Sequence, residues 1–203
     1  MIRENIISHL ESINIRNSKL DTVQQFFNCI EFTDDRIKET SKILTWFKGC
    51  ISSLYYIPNK NCLILTGEQG IGKSELLRYL SPKRNWFAEF SSLSQAQQMS
   101  RDFFIVCVDG ELEKYSKVKQ MRSLCMSQEF IILNEYTNYP MAEKRLASYC
   151  ATLQDWTHPV AKSDLIVNIN SIDFKAINSI DKNQMWAELH QSFKISKHER
   201  ILS

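Results

Sequence analysis

The sequence predicts an α/β protein: a largely parallel sheet flanked by helices, with an N-terminal helical segment in front of it. Three observations lead there. The stretch Leu63–Ser74, LILTGEQGIGKS, sets a glycine-rich loop between an apolar run and a helical pattern. The run Phe103–Val108 is wholly apolar and ends in Asp109-Gly110-Glu111. Two further apolar runs, 146–153 and 165–169, alternate with segments of helical periodicity, which is how strands of a mostly parallel sheet read.

The elements follow in order. Residues 2–56 read as helical, with Leu20, Val23, Phe26, Phe27 and Ile30 on one face of a helix over 18–32. Thr33-Asp34-Asp35 caps the next helix, which sets Ile37, Ile43, Leu44, Phe47 and Ile51 inward. Pro58–Asn61 is a turn into the strand Cys62–Leu65. Leu76, Leu77 and Leu80 follow at helical spacing, and that helix stops before Pro82. Trp86–Phe90 is a short apolar segment, 94–101 is helix-compatible, and 114–126 is an amphipathic helix. Residues 129–133 are a strand, 134–140 are turn-rich, and 146–153 form a buried strand ending at Gln154. The chain closes with a strand at 165–169 and a helix over 183–193. We divide it into an N-terminal segment 1–57, a domain 58–195 and a tail 196–203.

Composition bounds the function. A chain of 203 residues with 43% hydrophobic content suits one domain with a real core. Net charge is +2, so any nucleic-acid surface must be local. Six cysteines without a C-x-x-C pair imply buried thiols in a reducing compartment. No stretch approaches 18 apolar residues, so the expectation is no membrane span and a cytoplasmic protein. No histidine sits at metal-ligand spacing, and no Ser-His-Asp arrangement is readable.

The loop carries the chemistry. Gly67, four residues, Gly72, Lys73 and Ser74 fit G-x-x-x-x-G-K-[ST] without a gap. Glycines allow the backbone to turn successive N–H groups toward phosphate oxygens. Lys73 then reaches the β- and γ-phosphates of a nucleotide, and the Ser74 hydroxyl ligates Mg²⁺. The whole segment Gly67, Glu68, Gln69, Gly70, Ile71, Gly72, Lys73, Ser74 and Glu75 is the expected phosphate-binding stretch. Asp109 is the expected second metal ligand, at the carboxyl edge of the sheet. Glu111 is the candidate for polarising the attacking water, with Glu113 as its fallback. Asp109-Gly110 also reads as a plain turn after a core strand. Gln154 is placed to sense a terminal phosphate, or is a solvated residue after a strand.

These residues resemble the virulence-associated protein E family, ATPases of phages, plasmids and integrated elements related to superfamily 3 helicases. The likeness spans about 20–195 and is carried by WFKG before the loop, GEQGIGKS, FIVCVDGELEKYSK, KRLASYCATLQ, LIVNINSIDF and QMWAELHQSF. It implies a P-loop NTPase sheet of AAA+-like type. It implies a homo-oligomeric ring that hydrolyses ATP with Mg²⁺, acts on single-stranded or forked DNA, and works with a primase or another replication protein. It assigns phosphate and metal to Gly67, Gly70, Gly72, Lys73 and Ser74, the acidic pair to Asp109 and Glu111, and the sensor to Gln154.

The chain departs from the family pattern in four places. Gly110 separates an acidic pair that is usually adjacent, and Gln154 stands where an asparagine is usual. HPVAKSDLIV holds Lys162 as its sole Lys or Arg where arginines are usual, and LNEYTNYPM holds no Lys or Arg where a DNA-tracking loop needs cations. These departures support a second expectation, a non-motor nucleotide-dependent regulator or defence component. Lys114, Lys117, Lys119 and Arg122 form a basic run that either follows a nucleic acid or is a solvated helix face.

Overall fold

The computed structural model describes residues 2–15, 21–109, 112–133 and 140–202. Three N-terminal helices, α1 (Ile2–Ser12), α2 (Asp21–Asn28) and α3 (Arg36–Leu54), enclose a short strand β1 (Ile30–Phe32). Then follow β2 (Cys62–Thr66), α4 (Lys73–Tyr79), β3 (Phe87–Phe90), α5 (Leu93–Gln98), β4 (Ile105–Asp109) and α6 (Tyr115–Met126). The hairpin β5 (Glu129–Leu133) and β6 (Pro140–Lys144) comes next, then β7 (Ser148–Thr152), β8 (Asp164–Ile172), α7 (Phe174–Ile177) and α8 (Lys182–Leu202).

Six strands form one sheet in the order β1-β8-β2-β7-β4-β3. All its pairings are parallel except β1 with β8. The sheet is buried on both sides. Leu63, Leu65, Cys107, Cys150 and Val167 share one core with Trp46, Phe47, Leu77 and Trp186 from α3, α4 and α8. Cys62, Ile64, Val106, Val108 and Ala151 share a second with Ala96, Val118 and Met121 from α5 and α6. Period-2 alternation thus sends neighbouring residues of β2 into different cores, so all five of its residues are buried. Five of the six cysteines are buried and none is disulfide-bonded. Burial pushes the Cys50 thiol up to about 12, which keeps it protonated and unreactive.

The N-terminal region departs from the all-helical expectation. The helix ends at Asn28, and Ile30-Glu31-Phe32 adds an antiparallel strand to the edge of β8. An open sheet edge presents unpaired backbone groups, and that tertiary demand overrides a marginal helical period. Ile37 also departs from expectation: it is 81% exposed. It lies six residues, about 1.7 turns, before Ile43, so the two side chains fall on different faces of α3. The cap is as read from sequence, with Asp35 accepting from the Ile37 amide at 2.9 Å. Strand β6 begins at Pro140, the last residue of the stretch read as turn-rich, and was not read from the sequence; it pairs antiparallel with β5, and Lys144 bridges Glu129 opposite it at 2.6 Å.

Candidate functional site

The glycine loop leaves the carboxyl end of β2, in the middle of the sheet, where open α/β sheets bind ligands. Its conformation explains its composition. Gly67, Gly70 and Gly72 have φ of 139°, 88° and 91°, a region that L side chains avoid. Two of the three are also crowded. A Cβ on Gly67 would lie 2.2 Å from the Ile169 carbonyl oxygen, and one on Gly72 2.2 Å from the Phe174 ring. Around Gly70 nothing lies within 4 Å. Gly72→Ala therefore adds a collision to the backbone strain, whereas Gly70→Ala adds strain alone. We expect about 2–4 kcal/mol of destabilisation for the first and about 1 for the second, read from urea midpoints. Equal losses would show that Phe174 yields freely.

Lys73 begins α4 and is buried, 8% exposed. Its ammonium turns back into the loop and donates to the carbonyls of Gly67 at 2.7 Å and Glu68 at 2.6 Å. The loop is tied to the next strand as well, since the Gly67 amide donates to the Gln154 carbonyl at 3.0 Å. Ser74 stands beside Thr152 at the end of β7, their hydroxyl oxygens 3.4 Å apart.

A cavity of about 480 Å³ opens above these groups. It is lined by Gln69, Gly70, Gly72, Lys73, Ser74 and Glu75 of the loop and α4, together with Glu113, Thr152, Leu153 and Gln154. The volume falls in the range of small-molecule sites. Among the described residues its charges are Lys73, Glu75 and Glu113, and Glu75 is paired with Arg78 at 2.6 Å. That pair is exposed and holds its geometry only weakly.

The structure thus brings together most of the residues picked out in the sequence. Gln69, Gly70, Gly72, Lys73, Ser74, Glu75 and Gln154 meet at one cavity. Gly67 and Glu68 shape it through their carbonyls, and Ile71 packs partly buried against the first core. Asp109 ends β4, in register with Thr152, so its backbone flanks the same edge. Glu111, and residues 134–139 with Tyr136 and Tyr139, lie outside the described residues. Strand β7 separates β2 from β4, and that makes Thr152 a wall of the cavity. Thr152 was not picked out in the sequence, although its place two residues before Gln154 on a central strand marks it. In the basic run, Arg122 is committed to Asp164 at 2.6 Å and Lys119 lies 4.7 Å over the Tyr115 ring. Among the described residues no helix is long and apolar enough to cross a membrane, and no three His, Cys, Asp or Glu residues are grouped to hold a metal ion.

Two of the solved structures that share the fold are of the NrS-1 C-terminal region. The A-form apo structure of the NrS-1 C-terminal region, residues 305–718, superposes with a TM-score of 0.59 at 14% identity. The match covers 89% of this chain and 46% of that one. A second apo A-form structure of the NrS-1 C-terminal region gives 0.55 at 15% identity, over 87% of this chain and 45% of that one. The chain therefore spans less than half of each of these two structures. No curated protein matches the sequence significantly. The profile of the virulence-associated protein E-like domain matches residues 10–202, nearly the whole sequence, and the chain belongs to that family.

Proposed function

We propose that the chain is an ATP-binding P-loop protein related to superfamily 3 helicases, serving DNA replication of a phage or another mobile element. The observation that carries this reading is the loop itself. Three positive-φ glycines wrap backbone around a cavity, and a buried lysine ammonium sits inside the turn. On binding, Lys73 exchanges two carbonyl partners for phosphate oxygens, a charge-assisted interaction about twice as strong as a neutral one. The hydroxyl pair Ser74 and Thr152 and the adjacent end of β4 suit Mg²⁺, with Ser74 and Asp109 as its protein ligands. When bound, the ion supplies charge neutralisation at the phosphates. Gln154 stands at the cavity rim, where its amide contacts the terminal phosphate. ATP sits between subunits of a ring, each of which contacts single-stranded or forked DNA and works beside a primase or another replication protein.

The test is calorimetric and enzymatic. ATP with Mg²⁺ binds and raises the melting temperature, and a chelator removes most of that rise. Phosphate release increases when single-stranded DNA is added. Binding without DNA-stimulated release would favour the second reading, a non-motor nucleotide-dependent regulator. The sequence HPVAKSD, with Lys162 as its lone Lys or Arg before β8, supports that second reading, because a neighbouring subunit meets no arginine finger there. Absence of any ATP binding would end both.

A further inference from the structure

We propose that α1 is a proton-sensitive strap: it ties α8 to the foot of the β5–β6 hairpin, and protonation of His190 on α8 releases it. The apolar hold of α1 is small, since it buries only Ile6 and Leu10 beside Arg3. The rest of the hold is polar and sits at its two ends. At the first end, Arg3 donates to the carbonyls of Ser53 at 3.2 Å and Lys144 at 2.5 Å, and its Cζ lies 4.5 Å over the Tyr56 ring. Lys144 is the last residue of β6. At the second end, Glu11 pairs with Lys194 of α8, and His9 Nε2 donates to Asn183 Oδ1 at 3.1 Å.

His190 lies four residues, about one turn, before Lys194. It is 3% exposed. The Tyr55 hydroxyl donates to its Nε2 at 2.7 Å, and the two rings stack with 8° between their planes. Tyr55 stacks in turn on Phe193. Among the described residues, the charged groups that face the imidazole are Lys194 on its own helix and Glu11 on α1. Tyr55, at the end of α3, stays neutral because burial pushes its phenol up.

Burial is the main cause that holds the His190 imidazole below its ordinary 6.5; Lys194 adds to it, and Glu11 opposes it. An imidazolium formed here lacks the hydration it would have in water. Lifting α1 away hydrates the ring, so the open form binds the proton more tightly. By linkage, acid then favours opening. The sign follows: the strap holds fully above the ordinary histidine value and is lost as pH falls through the lower value of the closed form. Once α1 leaves, the Ser53 and Lys144 carbonyls lose Arg3. The hairpin foot keeps only its ties to Arg145 and the Glu129–Lys144 pair.

The experiment is amide hydrogen exchange at pH 7.5 and 5.5, each corrected for the intrinsic rate. Protection over residues 2–12 and 140–144 is expected to fall about five- to tenfold at the lower pH, while β2 and β7 do not change. His190→Gln keeps an acceptor for Tyr55 without a titrating ring, and its protection should be equal at the two pH values. The native chain gives a second readout that needs no variant: the His190 ring proton signal in NMR should titrate below 6.5. A midpoint at or above 6.5 overturns the proposal. So does a His190→Gln chain that keeps the native pH response. Opening of 2–12 without any change over 140–144 overturns the tie between α1 and the hairpin.

Discussion

In Lys73→Ala, the rise in melting temperature that ATP and Mg²⁺ give the native chain is expected to shrink to about 1–2 °C. The ammonium holds two backbone carbonyls and exchanges them for phosphate oxygens when nucleotide enters. Hydrogen bonds to charged groups contribute roughly 1.5–3 kcal/mol each, so losing the ammonium weakens ATP by about 100-fold. At a ligand concentration of about 100 Kd the native gain is about 2.7 kcal/mol. For a chain of this size that is about 5–10 °C. A 100-fold weaker site at the same concentration gains only about 0.4 kcal/mol. The free variant is slightly less stable than the native chain, because the Gly67 and Glu68 carbonyls lose their donor. A full nucleotide shift in Lys73→Ala would place the triphosphate elsewhere.

Much of this was legible in the sequence, for reasons that differ by residue. The loop was readable because its constraint is local. Left-handed backbone asks for glycine at 67, 70 and 72, and the ammonium reaches carbonyls only five and six residues back. Strand β2 was readable because both its faces are buried and its first four residues are apolar. Strand β1 was not, since its stability comes from pairing with β8, some 140 residues later. β6 was hidden by Pro140, which suits the first residue of a strand as well as a turn; the opposite charges of Glu129 and Lys144 were the available signal. Glu113 was named in the sequence as the fallback to Glu111, and the place of Thr152 two residues before Gln154 was the available signal for it; what brings both to one cavity is the strand order and the burial of Leu112 in the second core.

Arg145 is the other position where substitution should be severe, and here the effect is on folding. Its side chain is fully buried, and among the described residues no carboxylate pairs with it. The guanidinium donates instead to main-chain carbonyls: Asn59 at 2.6 Å, Cys125 at 2.7 Å, Ser127 at 3.1 Å, and Ala147. Those carbonyls belong to the turn before β2, the end of α6, the foot of the β5–β6 hairpin and the start of β7. Burial lowers its pKa below the ordinary arginine value, yet a guanidinium remains charged at any pH a folded chain meets. The carbonyl dipoles and the face of Tyr149, 5.0 Å from Cζ, are what make the buried charge tolerable. Arg145→Leu removes the charge but strands several acceptors away from water. Each orphan costs about 1–3 kcal/mol, and the costs do not add fully, so we expect a net loss of about 3–5 kcal/mol. That is a fall in melting temperature of about 6–20 °C. Arg145→Lys keeps the charge and three donors but not the planar fork, and should recover about half. Its ATP-dependent shift should remain, because the loop at 67–74 takes no contact from this hub. If Arg145→Leu melted within about 2 °C of native, the four carbonyls would have to be satisfied by water, and the hairpin foot would be held by the Glu129–Lys144 pair and the Arg3 contact to the Lys144 carbonyl.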